Sequence, residues 1–435
     1  MTPLDAYIDG TLAGTFRHGE RHIQFSYADT YLAQPHAIPL SASIPLTDRT
    51  LEHVHVDNYL WNLLPENPRY LDALARQFRI ASLYDPLEIL RAIGEDTPGA
   101  LSFYPHGHTP ATGGELVALT DTDIARDITW LRSAAPATRT RLSLAGYQPK
   151  TAYTKIGDTF YRPVGTLAST HIVKPEMPQD THLQDIEHIL ALTARGCHIN
   201  APRTSICTFD DMSAFITERY DREILPDGRV KRLHQEDLMQ VIGLSPSRKY
   251  QRHNGPGLAR LVGEVKRLCP QDEKAVWQLA AFNVAVGNAD AHGKNYSFLI
   301  DGHGHHLAPA YDLISLAPYP QYEQSLAMKI GRQDHYRSVT MGDWEYAATR
   351  AHSDPKLVTT WVEEILDVLP VAFEEACSQY GHDFLQLDAL RCQILPRRKT
   401  RSARHDSGGS VHVRGYTRKN GTMVGEHWRS QPARS

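Results

Sequence analysis

Residues 288–295 read Asn-Ala-Asp-Ala-His-Gly-Lys-Asn, and they follow a segment, 275–287, that is apolar on nearly every side. Such a segment is typical of a fully buried helix rather than of an amphipathic surface helix. The loop that follows the helix contains a carboxylate, an imidazole, an ammonium and two amides within eight residues. This composition predicts a functional site at the end of the buried helix.

A predicted β-hairpin follows this loop. The β-prone run 296–300 leads into an Asp-Gly-His-Gly turn, and the chain returns through 305–309 to Asp312. Because a strand rises about 3.3 Å per residue, five residues out and about as many back bring Asp312 level with Asn295. We therefore expect Asp290, Asn295 and Asp312 to share one small volume.

Two carboxylates and an amide oxygen form a set of oxygen ligands, which suits Mg²⁺ better than zinc. The Asp-x-x-x-x-Asn spacing is that of the protein-kinase catalytic loop, where the Asp accepts the hydroxyl proton and the Asn holds metal; a second Asp completes that site. The alternative is a polar loop whose Asp and Asn cap turns and whose His binds a backbone carbonyl. The loop alone leaves both interpretations open.

The segment upstream predicts a β-rich lobe with one helix. Residues 152–156, 159–164 and 170–174 are predicted to form three antiparallel strands, and 204–209 with 213–220 a further hairpin. Between them, 184–195 is a predicted helix that ends at a glycine.

Lys174 ends the third strand, and Glu187 lies on the first turn of the helix, 13 residues later. A strand lysine paired with a helix glutamate is the kinase ion pair that holds the nucleotide phosphates. The chain after this lobe is predicted to be mostly helical. The 288–295 loop is expected near the boundary between the β-rich lobe and this helical part. The order Lys, Glu, Asp, Asn, Asp favours an α+β, two-lobed protein-kinase-like fold with a β-rich N-lobe and a helical C-lobe.

A small α+β subdomain is predicted before the two lobes. It begins with a hairpin around Asp9-Gly10 and contains predicted helices over 58–64, 70–79 and 86–93. The predicted domain organisation is an N-terminal subdomain 1–105, a connecting segment 106–139, an N-lobe 140–222, a C-lobe 223–396 and a basic, flexible tail 397–435.

The composition indicates a soluble globular protein, with 41% hydrophobic and 22% charged residues. The sequence has no run of eighteen apolar residues and no visible secretory signal, so we expect neither a membrane span nor export. The five cysteines form no Cys-x-x-Cys pair, which favours a reducing, cytoplasmic location over disulfide or zinc frameworks.

The net charge of −4 hides an asymmetry between the body and the tail. Residues 397–435 carry ten Lys or Arg against two Asp or Glu, whereas the first 396 residues carry 36 basic and 48 acidic groups. An acidic body does not favour nucleic acid as the primary partner, because phosphate binding draws on clustered Lys and Arg. The basic run 397–404 is either a solvated segment or an arm that contacts DNA phosphates.

The sequence resembles the HipA-type serine/threonine kinases, the toxins of bacterial HipBA toxin–antitoxin modules, over roughly residues 1–395. The resemblance is carried by motifs in a fixed order. They lie at residues 39–46 (Pro-Leu-Ser-Ala-Ser-Ile-Pro-Leu), 62–68 (Asn-Leu-Leu-Pro-Glu-Asn-Pro), 93–96, 143–151 (Ser-Leu-Ala-Gly-Tyr-Gln-Pro-Lys-Thr), 170–174, 218–222, 232–237, 287–295 and 309–312.

The resemblance implies roles for individual residues. Asp290 is expected to be the catalytic base, and Asn295 and Asp312 the Mg²⁺ ligands. Lys174 is expected to bind the ATP phosphates, with Glu187 as its helix partner. Further ATP contacts are expected from the phosphate-binding loop, the hinge, the catalytic loop and the segment before the second Asp: Ala145, Gly146, Gln148, Lys150, Thr151, Glu218, Tyr220, His292, Lys294 and Tyr311.

The resemblance also implies autophosphorylation at Ser143, which would expel the phosphate-binding loop. It implies an ATP- and Mg²⁺-dependent toxin that phosphorylates a translation-related protein, such as an aminoacyl-tRNA synthetase. The implied partners are a HipB-like helix-turn-helix antitoxin and, through it or the basic tail, operator DNA. The alternatives are a non-catalytic co-repressor that binds the antitoxin, and a small-molecule or lipid kinase of related fold.

Overall fold

The computed structural model describes residues 2–110, 113–133 and 142–395, together with four short segments nearer the C-terminus. Residues 1–394 form one compact unit and 395–435 another. In the second unit, β19 (Ser410–Val413) pairs with β22 (His427–Ser430), and β20 (Tyr416–Thr417) pairs with β21 (Met423–Val424). These strands were not predicted, and the basic run 397–404 lies outside the described residues.

The N-terminal subdomain is a five-stranded antiparallel sheet, in the order β4-β3-β2-β1-β5, covered by helices. Its strands are β1 (Leu4–Ile8), β2 (Thr11–His18), β3 (Ile23–Tyr27), β4 (Leu51–Glu52) and β5 (Leu101–Pro105). Its helices are α1 (Asp29–Leu32), α2 (Val54–Asn62), α3 (Pro68–Phe78) and α4 (Pro86–Ile93).

Local sequence accounts for the helix ends in this subdomain. Asn67 caps α3 and Asp85 caps α4, each followed by a proline at the first helical position, where the missing N–H is not needed. Gly94 ends α4, as predicted. Helix α2 begins at Val54, four residues before its predicted start, because β-branched residues in its first turn obscure the helical pattern.

The next six strands form one sheet in the order β10-β11-β9-β7-β8-β6. The strands are β6 (Gly114–Ala118), β7 (Thr151–Ile156), β8 (Thr159–Gly165), β9 (His171–Pro175), β10 (Thr204–Phe209) and β11 (Met212–Glu218). Helices α5 (Asp121–Arg132) and α6 (Leu183–Gly196) belong to this lobe.

The segment 106–139 is more than the connection that the sequence predicted. Strand β6 pairs antiparallel with β8 at the edge of the N-lobe sheet, and α5 places Ile124 and Ile128 in the same apolar cluster as Tyr153 of β7. Strand β6 is hard to predict from sequence, because four of its five residues are exposed and it lacks a buried face. Residues 111–112 and 134–139 of the segment lie outside the described residues.

The C-lobe contains more β structure than its prediction as helical implied. Its helices are α7 (Leu238–Val241), α8 (Leu258–Leu268), α9 (Glu273–Ala285), α10 (Met341–Arg350), α11 (Pro355–Tyr380) and α12 (Leu385–Ile394). Its strands are β12 (Arg222–Ile224), β13 (Val230–Arg232), β14 (His234–Asp237), β15 (Ser297–Asp301), β16 (Gly304–Leu307), β17 (Ser325–Ile330) and β18 (Gln333–His335). In the described ranges, none of the helices has both the length and the apolar character that a membrane span needs.

Helix α9 is the predicted buried helix before the functional loop. Trp277 and Phe282 on it are fully buried, and the helix packs against α11 and α8. Helix α11 also contacts α6 of the N-lobe, so the two lobes share a helical interface. All five cysteines are free thiols, in agreement with the absence of a disulfide framework.

Buried polar contacts between the motifs 39–46 and 232–237 attach the N-terminal subdomain to the C-lobe. The carboxylate of Glu236 is fully buried and accepts hydrogen bonds from the hydroxyl of Ser41 and the backbone N–H of Ala42. His234 bonds the carbonyl of Leu40 at 2.9 Å. A buried carboxylate needs such partners, so both motifs are explained by this interface.

A buried ionic network fixes the segment that leaves β11. Asp96 accepts hydrogen bonds from Arg219 at 3.2 Å and Arg222 at 2.7 Å, and Asp221 accepts from Arg219 at 2.9 Å. Burial alone would raise the pKa of Asp96, but Arg219, Arg222 and Arg232 outweigh it and hold that pKa well below its usual range. The network joins the N-terminal subdomain to the boundary between the lobes.

Candidate active site

The hairpin β15–β16 brings the two predicted metal-ligand residues together. β15 is the central strand between β14 and β16, and Asn295 ends a single 3₁₀ turn directly before it. The Asn295 amide nitrogen donates to Asp312 Oδ2 at 3.1 Å. Asp312 adopts a left-handed backbone conformation, with φ of 51°, which is uncommon for a residue other than glycine.

The predicted lysine–glutamate pair is formed. Lys174 on β9 lies 2.7 Å from Glu187 Oε1 on α6 and 2.5 Å from Asp312 Oδ1. Burial alone would lower the pKa of the Lys174 ammonium, but the carboxylates of Asp312 and Glu187 outweigh it and hold that pKa above its usual range. Helix α6 begins one residue earlier than predicted, which places Glu187 at its fifth position.

Asp290 lies on the same cleft, and its partner was not predicted. The hydroxyl of Tyr250 donates to Asp290 Oδ1 at 2.7 Å, and the backbone N–H of Asp290 donates to Asn288 Oδ1 at 3.2 Å. Burial raises the pKa of Asp290, although the Tyr250 hydrogen bond and the charge of Lys249 oppose this.

The predicted phosphate-binding loop, residues 145–151, lines the cleft with residues 145–150. Gly146 has a φ of +109°, a backbone conformation that residues with a side chain rarely adopt, so glycine suits this position. Lys150 Nζ donates to the Ala145 carbonyl at 2.9 Å. Burial lowers the pKa of Lys150 to about 8. Gln148 lines the same cleft, and Thr151 opens β7 opposite Val173.

Ser143 lies at the start of this loop and is fully buried. Its hydroxyl donates to the carbonyl of Leu63 at 2.8 Å, and its backbone N–H donates to the carbonyl of Asp96 at 3.0 Å. The predicted modification site is thus covered by the N-terminal subdomain.

The predicted hinge residues have different environments. Glu218 is exposed at the end of β11, where its backbone N–H bonds the carbonyl of Arg203. The ring of Tyr220 stacks on Tyr311, with centroids 5.7 Å apart, and its hydroxyl donates to Gln235. These rings line the cleft beside the hinge, where a nucleobase could stack.

The structure separates the two catalytic-loop residues whose roles the sequence left open. Lys294 Nζ is fully engaged, donating to Asp237 Oδ2 at 2.6 Å, to the Asn62 carbonyl at 2.9 Å and to Asn62 Oδ1 at 3.1 Å. An ammonium has three donor hydrogens, so these partners disfavour the predicted ATP contact for Lys294. His292 is buried and neutral, since burial lowers its pKa well below the usual value.

A short segment, 62–66, of the N-terminal subdomain contacts three other segments of the site. Asn62 binds Lys294 of the catalytic loop, and the backbone N–H of Glu66 bonds the Gly146 carbonyl at 2.9 Å. The Glu66 carboxylate pairs with Lys249 at 2.7 Å, next to Tyr250. We call residues 62–66 the fastening segment; they lie within the motif 62–68, for which the sequence alone predicted no role.

The cleft between the lobes has a volume of about 1450 Å³ and is lined by residues of both lobes and of the fastening segment. Pockets for single small molecules typically have about 300–1,000 Å³. The cleft therefore has room for a nucleotide and part of a second substrate.

The residues fit the divalent ion that the fold implies. Asp312 is held ionised: burial alone would raise its pKa, but Lys174 and Lys150 hold it well below the usual range. Asn295 Oδ1 accepts one hydrogen bond, from the His292 backbone N–H at 3.0 Å, and an amide oxygen has two lone pairs. Carboxylate and amide oxygens are ligands that Mg²⁺ accepts, although the atom of Asn295 that faces Asp312 in this structure is the amide nitrogen.

A β-rich lobe with a buried lysine–glutamate pair, a helical lobe with Asp290, Asn295 and Asp312, and a cleft between them define a kinase of the protein-kinase-like fold. Residues 4–104 match the family model of the HipA N-terminal domain, and residues 142–373 that of the HipA-like C-terminal domain. The second match alone covers more than half of the chain. The chain belongs to the HipA family of serine/threonine kinases, which confirms the family inferred from the motifs.

Individual relatives agree with this assignment. The putative kinase Y4mE of Sinorhizobium fredii is 31% identical over an alignment of 378 residues, and the match covers 84% of this chain and 89% of the relative. The serine/threonine-protein kinase toxin HipA of Shewanella oneidensis is 37% identical over an alignment of 320 residues, and the match covers 68% of this chain and 71% of the relative. A solved complex of Shewanella oneidensis HipA, HipB and operator DNA contains a chain similar to this one, with a TM-score of 0.78 and 29% identity; the match covers 89% of this chain and 94% of that chain.

Proposed function

We propose that this protein transfers the γ-phosphate of ATP, with Mg²⁺ as cofactor, to a serine or threonine hydroxyl of a protein. One observation carries the proposal: Lys174 contacts both Glu187 and Asp312, and Asn295 contacts Asp312, so the phosphate-binding pair and the metal-ligand pair form a single cluster. Phosphoryl transfer depends on such positioning and charge neutralisation more than on covalent chemistry.

Each residue of the cluster has a place in the proposed reaction. Lys174 anchors the nucleotide phosphates and is itself oriented by Glu187. The acceptor hydroxyl oxygen attacks the γ-phosphorus, the bond from that phosphorus to the ADP oxygen breaks, and the hydroxyl proton passes to Asp290. Mg²⁺ bound by Asn295 and Asp312 would neutralise the charge on the phosphates.

We propose the remaining ATP contacts as follows. The backbone of the phosphate-binding loop, with Lys150 and Gln148, faces the phosphates. The hinge at Glu218 and Tyr220 holds the adenine, and the Tyr311 ring supports it through its stacking on Tyr220. His292, which is neutral and lies between Asp290 and Asn295, is better suited than Lys294 to contact the γ-phosphate or the acceptor.

We propose that Ser143 is the autophosphorylation site. Its hydroxyl is buried and donates to the Leu63 carbonyl. A phosphate at this position would carry about two negative charges, which the carbonyl oxygen would repel. Phosphorylation would force the start of the phosphate-binding loop away from the fastening segment. In the modified enzyme the phosphate-binding loop would be displaced from the cleft, and the activity would be lost.

The biological role that we propose is that of a HipA-like toxin in the cytoplasm, with a HipB-like helix-turn-helix antitoxin as partner. Support comes from the Shewanella oneidensis relative, which is named a toxin, and from the solved complex of HipA with HipB and operator DNA. A protein of the translation machinery, such as an aminoacyl-tRNA synthetase, is the proposed substrate, on family resemblance alone. The same complex supports a co-repressor role beside catalysis, with operator DNA reached through the antitoxin.

Mass spectrometry of the purified chain after incubation with ATP and Mg²⁺ tests this proposal. We expect a mass increase of one phosphate, located at Ser143 and absent from a Ser143→Ala variant. Ser133, which is exposed at the C-terminal end of α5, provides a control, since Ser133→Ala should leave the modification unchanged. Absence of phosphate on the chain and on any co-purified protein would contradict the kinase assignment.

A further inference from the structure

Tyr250 is the aromatic residue in direct contact with the proposed catalytic base. Its hydroxyl donates to Asp290 Oδ1 at 2.7 Å, and its ring stands edge-on to His292, with centroids 5.1 Å apart at 84°. The guanidinium of Arg252 covers the ring at 4.3 Å from its centroid. The phenol therefore has a defined position relative to the catalytic loop.

The backbone around Tyr250 is fastened on both sides. On one side the Lys249 carbonyl accepts from the backbone N–H of Gly293, at 3.0 Å, and the Lys249 ammonium pairs with Glu66. On the other side the Gln251 side chain accepts from the backbone N–H of Lys329 on β17, at 2.8 Å. A residue held in this way loses little freedom when substrate binds, which is the condition for a positioning role.

The hydrogen bond has a direct consequence for the carboxylate. A carboxylate has two oxygens, and one that accepts a bond from a fixed hydroxyl cannot rotate freely about its last torsion. With Oδ1 held by Tyr250, Oδ2 is the oxygen left to receive the acceptor hydroxyl. In the absence of this bond the carboxylate would have several orientations, of which a fraction would be productive.

We propose that Tyr250 is a positioning residue for the kinase reaction: it orients the Asp290 carboxylate so that Oδ2 faces the incoming hydroxyl. This inference rests on the proposed function, in which Asp290 is the base. Tyr250 makes no contact with nucleotide in this scheme, so its hydroxyl affects the rate of transfer and not the binding of ATP. The Tyr250 segment in turn is held by Glu66, which makes the N-terminal subdomain part of the catalytic machinery.

The test is Tyr250→Phe in the full-length chain, which removes the hydroxyl and keeps the ring. The probe is transfer of labelled phosphate from ATP to the chain itself, measured against ATP concentration. We expect the maximal rate to fall by about 10- to 100-fold, as for loss of a hydrogen bond to a charged group, while the KM for ATP changes by less than about twofold.

A matched variant separates this role from a structural one. Tyr153→Phe also removes a buried Tyr–Asp hydrogen bond of 2.7 Å, to Asp127 in the N-lobe core. It should lower the unfolding temperature and leave the maximal rate of folded protein within about twofold. The Asp290→Ala variant gives the transfer rate in the absence of the base. The maximal rate of Tyr250→Phe should lie between that rate and the rate of wild type.

The outcomes are distinct. If wild type transfers phosphate and Tyr250→Phe has an unchanged maximal rate, or a raised KM alone, the positioning role is wrong and the kinase assignment stands. If mass spectrometry finds phosphate on Tyr250 itself, the residue is an acceptor and the inference is also wrong. If wild type transfers no phosphate to itself or to a generic protein acceptor, the proposed function fails, and this inference with it.

Discussion

The ammonium of Lys174 and the carboxylate of Asp312 lie 2.5 Å apart, so one ion pair joins the N-lobe sheet to the loop that follows β16 in the C-lobe. Asp312 is also the proposed metal ligand. The groups that would bind the phosphates and the metal are therefore held together by direct ion pairs between protein side chains. Such preorganisation means that little reorganisation remains to be done at the moment of reaction.

Lys174→Met should weaken ATP–Mg²⁺ binding by about 10- to 100-fold, because a charge-assisted hydrogen bond to phosphate is lost. It should also lower the free energy of unfolding by about 3–5 kcal/mol, since Glu187 and Asp312 lose a buried partner. Titration calorimetry and denaturant unfolding measure the two effects. Lys155→Met on β7 is the control: Lys155 lies over the Phe160 ring, as Lys174 lies over Phe215, and should leave ATP affinity unchanged.

The rate of phosphate transfer should depend on pH through Asp290. Burial raises the pKa of Asp290 above its ordinary value of 3.8, and a base must be ionised to accept a proton. Activity is therefore full above the raised pKa and falls as the pH drops through it. The acid limb of a plot of rate against pH should lie above about pH 4, at pH values where circular dichroism still reports folded protein. A rate that stays flat down to pH 4 would be inconsistent with this role.

Lys294 should prove to be a structural residue. Lys294→Met leaves the Asp237 carboxylate buried without its cation and should destabilise the protein by about 3–5 kcal/mol. Adding Asp237→Asn removes that charge, keeps an acceptor for the N-cap of α7, and should recover part of the loss. Denaturant unfolding of the single and double variants is the measurement. Unchanged stability together with weakened ATP binding would restore Lys294 to the nucleotide site that the sequence predicted.

The pair Glu66–Lys249 should couple the N-terminal subdomain to catalysis. Glu66→Lys and Lys249→Glu each place like charges together beside Tyr250, and each should lower the transfer rate by about tenfold or more. The double reversal should recover much of the rate, which a double-mutant cycle would quantify. The exposed pair Lys274–Glu364 is the control, because reversing a solvated pair should change little. Additive losses in the double variant would mean that the two residues act independently.

Periodicity and strand arithmetic were enough to predict that Asn295 and Asp312 lie side by side. The two strands of the predicted hairpin after helix α9 have nearly equal lengths, and the rise per residue of a strand is nearly constant. Asp312 was therefore predicted beside Asn295, where the structure has it. The Lys174–Glu187 pair followed from the order of a strand and a helix. These predictions succeeded since each depends on local geometry.

The contacts that long-range packing creates could not be predicted. Tyr250 precedes Asp290 by 40 residues and belongs to no motif, and Glu66 comes from another subdomain. Lys294 resembles a free catalytic-loop lysine in sequence, and its partners Asn62 and Asp237 are distant in the chain. Burial decided each of these cases, and burial is a property of the assembled fold.

Transfer of labelled γ-phosphate by wild type and by Asp290→Ala tests the central claim most directly. Wild type should incorporate phosphate into itself or a protein acceptor in the presence of Mg²⁺, and chelation of the metal should abolish this. Asp290→Ala should remain folded and bind ATP, with a transfer rate lower by about 10²- to 10⁴-fold. A folded Asp290→Ala variant that transfers phosphate at the wild-type rate would contradict the assignment of this cleft as the site of phosphoryl transfer.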